Sequence, residues 1–191
     1  AVGGIDAHVS LLACGASVGL VSLVSGTSSA LVAEIEEPSD PADVTLSTEV
    51  WGPYPHALRT SRWLVEGGQV SSGSVLTWAG ETIMGVARED LPALVAGASR
   101  VDPGAHGLLV LDTFMGNRTP YRDARLRGAV VGLTVGTTRE ELYRATVEAV
   151  ACGTRAVLDS FVRAGVVCDR LVFSGGIEHN PLWQQVTVDV L

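Results

Sequence analysis

Two short stretches combine residue types and spacing that could do chemistry. Asp6 follows Gly3-Gly4-Ile5 at a point where the pattern hands over from strand to helix. A carboxylate beside glycine-rich backbone can take a proton from an alcohol. The same position suits an N-cap acid that accepts hydrogen bonds from first-turn N–H groups. Gly26-Thr27-Ser28-Ser29 lies inside LVSLVSGTSSALVAE, between two Val- and Leu-rich runs of strand length. Such a turn gathers backbone N–H groups and hydroxyls at a sheet edge, where they could hold a phosphate. An ordinary hairpin asks for the same residues, glycine for its backbone freedom and Ser or Thr for local hydrogen bonds.

Two more glycine sites stand before helices. Gly136 precedes the longest helical pattern of the chain, where unpaired N–H groups and the macrodipole favour an anion, or where the glycine merely shapes the loop. Ser174-Gly175-Gly176 follows a strand pattern and leads to a helix starting near Asn180, an order that lets backbone approach a flat or charged ligand. Glu66 and Gln69 flank Gly67-Gly68, which suggests polar groups meeting backbone at close range or a structural polar network.

The elements that must position these residues follow from periodicity. Val2 to Ile5 reads as the end of a strand, and Ala7 to Ala16 as a short helix with Val9, Leu12 and Ala13 on one side. Glu34 to Pro41 is acidic and twice broken by proline, the pattern of a surface loop, and Trp51-Gly52-Pro53-Tyr54-Pro55 reads as a rigid turn. Helices are expected over about Ser71–Met84 and Ala87–Ala98, with a buried strand over Gly107–Leu111 and a polar loop at Gly116-Asn117-Arg118-Thr119-Pro120. The segment Tyr121–Arg127 carries three arginines and one acid, an anion-attracting loop or a solvated face. The long helix is expected from Arg139 to Ala164, with Thr138 and Glu141 in capping-box register and Gly165 ending it. Along it Leu142, Ala145, Ala149, Cys152, Ala156 and Ser160 form a stripe of small side chains. A strand over Arg170–Phe173 precedes the last helix, with Leu182, Trp183, Val186 and Val190 inward.

Bulk properties narrow the classes. The 191 residues are 47% hydrophobic and 18% charged, which favours a packed α/β body over disorder. A net charge of −8, with thirteen basic residues that are all arginine, makes nucleic acid a poor partner. No apolar run reaches bilayer length and nothing at the start resembles a signal peptide, so a cytoplasmic protein without a membrane partner is expected. Cys14, Cys152 and Cys168 form no metal-ligand spacing and read as buried small hydrophobes of a reducing compartment. The chain opens without a lead-in and stops inside a helical pattern at Val188-Asp189-Val190-Leu191, so it is expected to be part of a longer protein.

The order of these turns is specific. Gly4-Ile5-Asp6 with its helix, Gly26-Thr27-Ser28, Glu66-Gly67-Gly68-Gln69, Gly116-Asn117-Arg118-Thr119-Pro120, Arg127-Gly128 to Gly136, and Ser174-Gly175-Gly176 to Asn180 together resemble the FGGY family of carbohydrate kinases. Trp51-Gly52-Pro53-Tyr54 and Trp63 to Gln69 are most similar to its ribulokinase-like members. The resemblance implies a ribonuclease-H-like α/β fold of the actin and sugar kinase superfamily, a mixed sheet flanked by helices that forms an ATPase domain. Residues 1–19 would end the N-terminal kinase domain, and 20–191 would be the C-terminal domain, truncated at its C-terminus.

The resemblance also implies site roles, cofactors and partners. Asp6 would be the general base on the sugar hydroxyl. Gly26, Thr27 and Ser28 would hold the terminal phosphates, Gly136 would stand near them, and Gly175, Gly176 and Asn180 would form the adenosine motif. ATP and Mg²⁺ are the implied cofactors, a sugar or polyol such as ribulose the implied substrate, and a homodimer the implied assembly. The chain departs from the family at Ile177 and Glu178, where relatives carry a third glycine and a small residue, so a narrower or shifted adenine side is expected. A piece of this extent is expected to be inactive by itself, since the family's first phosphate motif lies in the N-terminal domain. The alternative is a non-catalytic nucleotide-binding regulatory module of the same fold.

Overall fold

A computed structural model describes residues 4–39 and 48–191. Its centre is a five-stranded mixed sheet built from β1 (Gly19–Ser25), β2 (Ser29–Glu36), β3 (Trp51–Pro55), β4 (Arg62–Gln69) and β7 (Cys168–Gly175), in the order β3-β4-β2-β1-β7. The expected hairpin joins β1 to β2, antiparallel from Val21 opposite Ala33 to Ser25 opposite Ser29. β4 lies antiparallel to β2, and β7 returns from the far end of the chain to pair parallel with β1. A separate two-stranded ribbon is formed by β5 (Leu109–Leu111) and β6 (Ala129–Val131).

Alternation along the strands makes the sheet apolar on both faces. Val21, Leu23, Leu31, Ala33 and Val65 meet Val157 and Phe161 of α4 (Arg139–Arg163). Leu20, Val32 and Leu64 face the other way, against Ala7 and Leu11 of α1 (Asp6–Ala13). Each fully buried Leu or Phe of this kind contributes about 1.5–3 kcal/mol. The N-terminal half of α4 extends past the sheet and gathers a second core with α2 (Gly73–Trp78), α3 (Leu91–Ala98) and α5 (Pro181–Val190), through Leu76, Leu94, Val147, Val150, Leu182, Trp183 and Val186. The start of α4 is fixed as expected: Thr138 Oγ1 accepts from Glu141 N–H at 3.2 Å and Glu141 Oε2 accepts from Thr138 N–H at 2.8 Å.

Several expectations are corrected. In α1 the inward residues are Ala7 and Leu11, whereas Val9 and Leu12 are exposed, because an eight-residue helix meets the sheet along one i, i+4 line. Residues 4 and 5 are not strand, and Val2 and Gly3 lie outside the described residues. Glu34 does not open a loop: β2 continues through it and buries its side chain, where both Glu34 oxygens accept from the Arg59 guanidinium. Of that expected loop, Asp40 and Pro41 lie outside the described residues. Trp51–Pro55 is an edge strand rather than a turn, with a register shift between Trp51 and Tyr54 where Gly52 and Pro53 stand. The first middle helix starts at Gly73 and finishes in a π-turn over Ala79–Ile83, and a short 3₁₀ turn over Arg88–Asp90 leads into α3. Leu109 and Leu111 are exposed on the ribbon, not buried. The small-residue stripe is buried at Ala145, Ala149 and Ser160, while Cys152 is exposed. Cys14 and Cys168 are half-buried, so none of the three thiols is a core residue.

Candidate functional site

The hairpin tip is held by its carbonyls. Gly26 C=O accepts from Gly73 N–H at 3.0 Å and from Ser72 Oγ at 3.3 Å. Thr27 C=O accepts from Ser72 N–H at 2.9 Å, Ser74 N–H at 3.2 Å and Ser74 Oγ at 2.8 Å. These bonds satisfy first-turn N–H groups of α2 that would otherwise lack partners. With its carbonyls turned to α2, the tip leaves Gly26, Thr27 and Ser28 exposed.

Beside it, β7 ends at Gly175, whose φ of +90° belongs to the left-handed region. A Cβ there would lie 2.7 Å from Ser25 O, so the glycine permits both the bend and the approach to the hairpin. Gly176 then starts a 3₁₀ turn through His179, and Asn180 caps α5: its Oδ1 accepts from Trp183 N–H at 3.0 Å, with Pro181 in the first turn. Asn180 Nδ2 donates to Tyr143 Oη at 3.3 Å, tying the cap to α4. Burial pushes the Tyr143 phenol above its ordinary range, which keeps it protonated.

Between these elements opens a cleft of about 930 Å³. Gly26, Thr27, Gly176 and Asn180 line it, together with the apolar Leu91, Pro92, Val95 and Ala96 of α3 and with Trp78 and Tyr143. Glu81 and Arg88, paired at 2.8 Å, also line it. A concave site of this size, lined by apolar side chains together with several polar ones, suits a ligand with a flat apolar part and a polar tail.

Four of the eight candidate residues thus share one cleft, and four do not line it. Ser28 is exposed on the same hairpin, and Gly175 lies behind Gly176 against Ser25. Gly136 is exposed in the loop before α4, where its N–H donates to Thr134 Oγ1 at 3.2 Å and a Cβ would fit. Asp6 is exposed as the first residue of α1, after Ile5 at the cap position, and its Oδ1 accepts from Ala7 N–H at 2.8 Å. It stands on the opposite face of the sheet from α4. Ser10 Oγ lies 3.0 Å from Ser22 Oγ, and Asp6 is one helical turn further from the 14–18 connection. Two residues along, His8 Nε2 meets Glu66 Oε2 at 2.6 Å, and Glu66 Oε1 accepts from Arg118 Nη2 at 3.2 Å.

Ile177 does not narrow the cleft. It is fully buried in the core between α4 and α5, and Glu178 is exposed, so neither lines the opening. The α3 wall, Trp78 and Tyr143 were not read from the sequence as site residues. The i, i+4 pair Leu91 and Val95 is a visible signal, but it reads equally as core. Among the described residues, no group of three or more His, Cys, Asp or Glu is placed to hold a metal ion.

Comparison with known proteins shows the family of the chain. A model of the C-terminal domain of the FGGY family of carbohydrate kinases matches residues 21–191. A ribulokinase of Mycolicibacterium smegmatis is 34% identical over 206 residues, covering 100% of this chain and 34% of that protein. A ribulokinase of Bacillus licheniformis is 34% identical over 203 residues, covering 100% of this chain and 35% of that protein. The crystal structure of a xylulose kinase from Rhodospirillum rubrum superposes with a TM-score of 0.80 at 27% identity, over 94% of this chain and 35% of that one. The chain therefore spans about a third of the length of these relatives.

Proposed function

The chain belongs to the FGGY family of carbohydrate kinases, and on that premise we propose that it is the nucleotide-holding part of an ATP-dependent kinase that phosphorylates a sugar or polyol hydroxyl, a pentulose such as ribulose above others. The observation that carries the reading is the convergence of the hairpin tip, Gly176 and Asn180 on one cleft. Gly26 and Thr27 are the polar end that would hold the terminal phosphates. The α3 wall is the apolar side against which an adenine would lie, with Gly176 and Asn180 beside it. ATP supplies the transferable phosphoryl group, and Mg²⁺ takes its ligands largely from phosphate oxygens and water.

Little covalent work is left to the protein in such a reaction, which depends on positioning and on charge stabilisation. Asp6 supports the remaining role, orienting a substrate hydroxyl and accepting its proton. Its carboxylate is exposed, and one of its oxygens is steadied by the Ala7 N–H. The pentulose preference rests on the ribulokinase and xylulose kinase relatives.

The test is ADP release by the full-length gene product given MgATP with ribulose, xylulose or glycerol. Turnover is expected with a pentulose, and Asp6→Asn is expected to lower it by roughly 10²–10⁴-fold while ATP affinity stays within about twofold. Absence of sugar-dependent ADP release would refute the kinase reading. Unimpaired function in Asp6→Asn would favour a non-catalytic nucleotide-binding module.

A further inference from the structure

Gln69 closes β4 and is buried, and every hydrogen-bonding position of its amide is used. Nε2 donates to Asp112 Oδ2 at 2.7 Å and to Val150 C=O at 3.0 Å. Oε1 accepts from Ser29 Oγ at 2.8 Å and from Thr154 Oγ1 at 2.9 Å. Turned over, the amide would set its oxygen against a carboxylate and a carbonyl, so only one orientation is satisfied. Packing holds it there: a Cβ on Gly153 would lie 2.2 Å from Asp112 Oδ2 and 2.4 Å from Gln69 Nε2.

Of the four partners, Ser29 belongs to the hairpin, directly after Gly26-Thr27-Ser28, while Val150 and Thr154 belong to α4 and Asp112 follows β5. The amide is therefore a rigid link from α4 to the base of the turn. We infer that Gln69 is a positioning residue for the phosphate-holding hairpin, acting through the Ser29 hydroxyl to fix where Gly26 and Thr27 stand in the cleft. This rests on the nucleotide reading above. The apolar wall of the cleft belongs to α3, and none of the four hydrogen-bond partners of Gln69 lies on that helix, so the two ends of a bound nucleotide respond differently to its loss.

The experiment is calorimetric titration of the intact protein and of its Ser29→Ala and Gln69→Leu variants with MgATP and, separately, with adenosine. Both variants are expected to bind ATP about five- to tenfold more weakly, since Gln69→Leu removes the acceptor of the buried Ser29 hydroxyl and Ser29→Ala removes the one donor that ties Gln69 Oε1 to the hairpin base. Their adenosine affinity should stay within about twofold of wild type. A general loss of packing would instead weaken both ligands in proportion, and that result overturns the role, as does wild-type ATP affinity in the variants. Ser29→Ala removes one buried oxygen and decides the matter even where Gln69→Leu fails to fold. A wild-type protein that binds neither ligand overturns the nucleotide reading, and this inference with it. Wild-type binding without the ATP–adenosine split overturns the role of Gln69 alone.

Discussion

Replacing Gly73 by alanine puts two opposed effects in one measurement. Gly73 is the first residue of α2, where alanine in place of glycine ordinarily stabilises a helix by about 0.5–1 kcal/mol. Here the new Cβ would lie 2.5 Å from Gly26 O, nearly an ångström inside ordinary contact. Relief requires the hairpin carbonyl to move away, which stretches the bonds it accepts from Gly73 N–H and Ser72 Oγ. Two weakened hydrogen bonds at about 0.5–1.5 kcal/mol each, with an overpacking cost of about 1–3 kcal/mol, outweigh the helix gain. The net expectation is a loss of about 1–5 kcal/mol, or roughly 2–20 °C in Tm for a chain of this size. Because the strain falls on the hairpin tip, ATP affinity should drop by about tenfold in the same variant. Urea unfolding and calorimetric titration read the two effects. A Gly73→Ala protein that is more stable than wild type, or binds ATP equally well, would refute the reasoning.

Two other outcomes follow from groups described above. Arg59→Ala leaves the Glu34 carboxylate buried in β2 without its partner and should cost about 1–3 kcal/mol, discounted because Arg59 is partly exposed, while the double variant Glu34→Leu/Arg59→Ala should recover most of that loss in denaturant melts. Burial raises the Asp112 carboxyl above its ordinary value of 3.8, so the native state binds more protons than the unfolded chain between that value and the raised one. Stability attributable to this group therefore declines as pH rises through that window, and Asp112→Asn should flatten the decline in melts taken from pH 4 upward.

The parts of the fold legible in the sequence are those whose information is local. The hairpin announces itself by two apolar runs around Gly26-Thr27-Ser28-Ser29, and α4 by the Thr138 and Glu141 box at one end and Gly165 at the other. The acid at Glu34 misled because its partner lies twenty-five residues on, at Arg59, and nothing near Glu34 marks that meeting. Trp51–Pro55 misled because Gly and Pro signal turns, whereas an edge strand has no ladder on one side to be broken by them. The site divides in the same way. Its glycine turns were visible as motifs, but the α3 wall, Trp78 and Tyr143 become a cleft only through packing between distant elements. Gln69 beside Gly67-Gly68 was visible as a polar residue close to backbone, while its four partners, drawn from β2, α4 and the segment after β5, were not.

The pairing of β7 with β1 has a consequence for the order in which the molecule assembles. Ser25 meets Ser29 across a turn, but Val24 meets Ser174 across on the order of 150 residues, and the entropy of closing that longer loop is greater by about 3 kcal/mol. Contacts of such long range reward the chain late, so strand β7 is expected to join a sheet whose hairpin already exists. Gly176 and Asn180 arrive with it. The cleft lined by Gly176 and Asn180 is therefore expected to take shape only once β7 has docked, later than the hairpin that forms its other part.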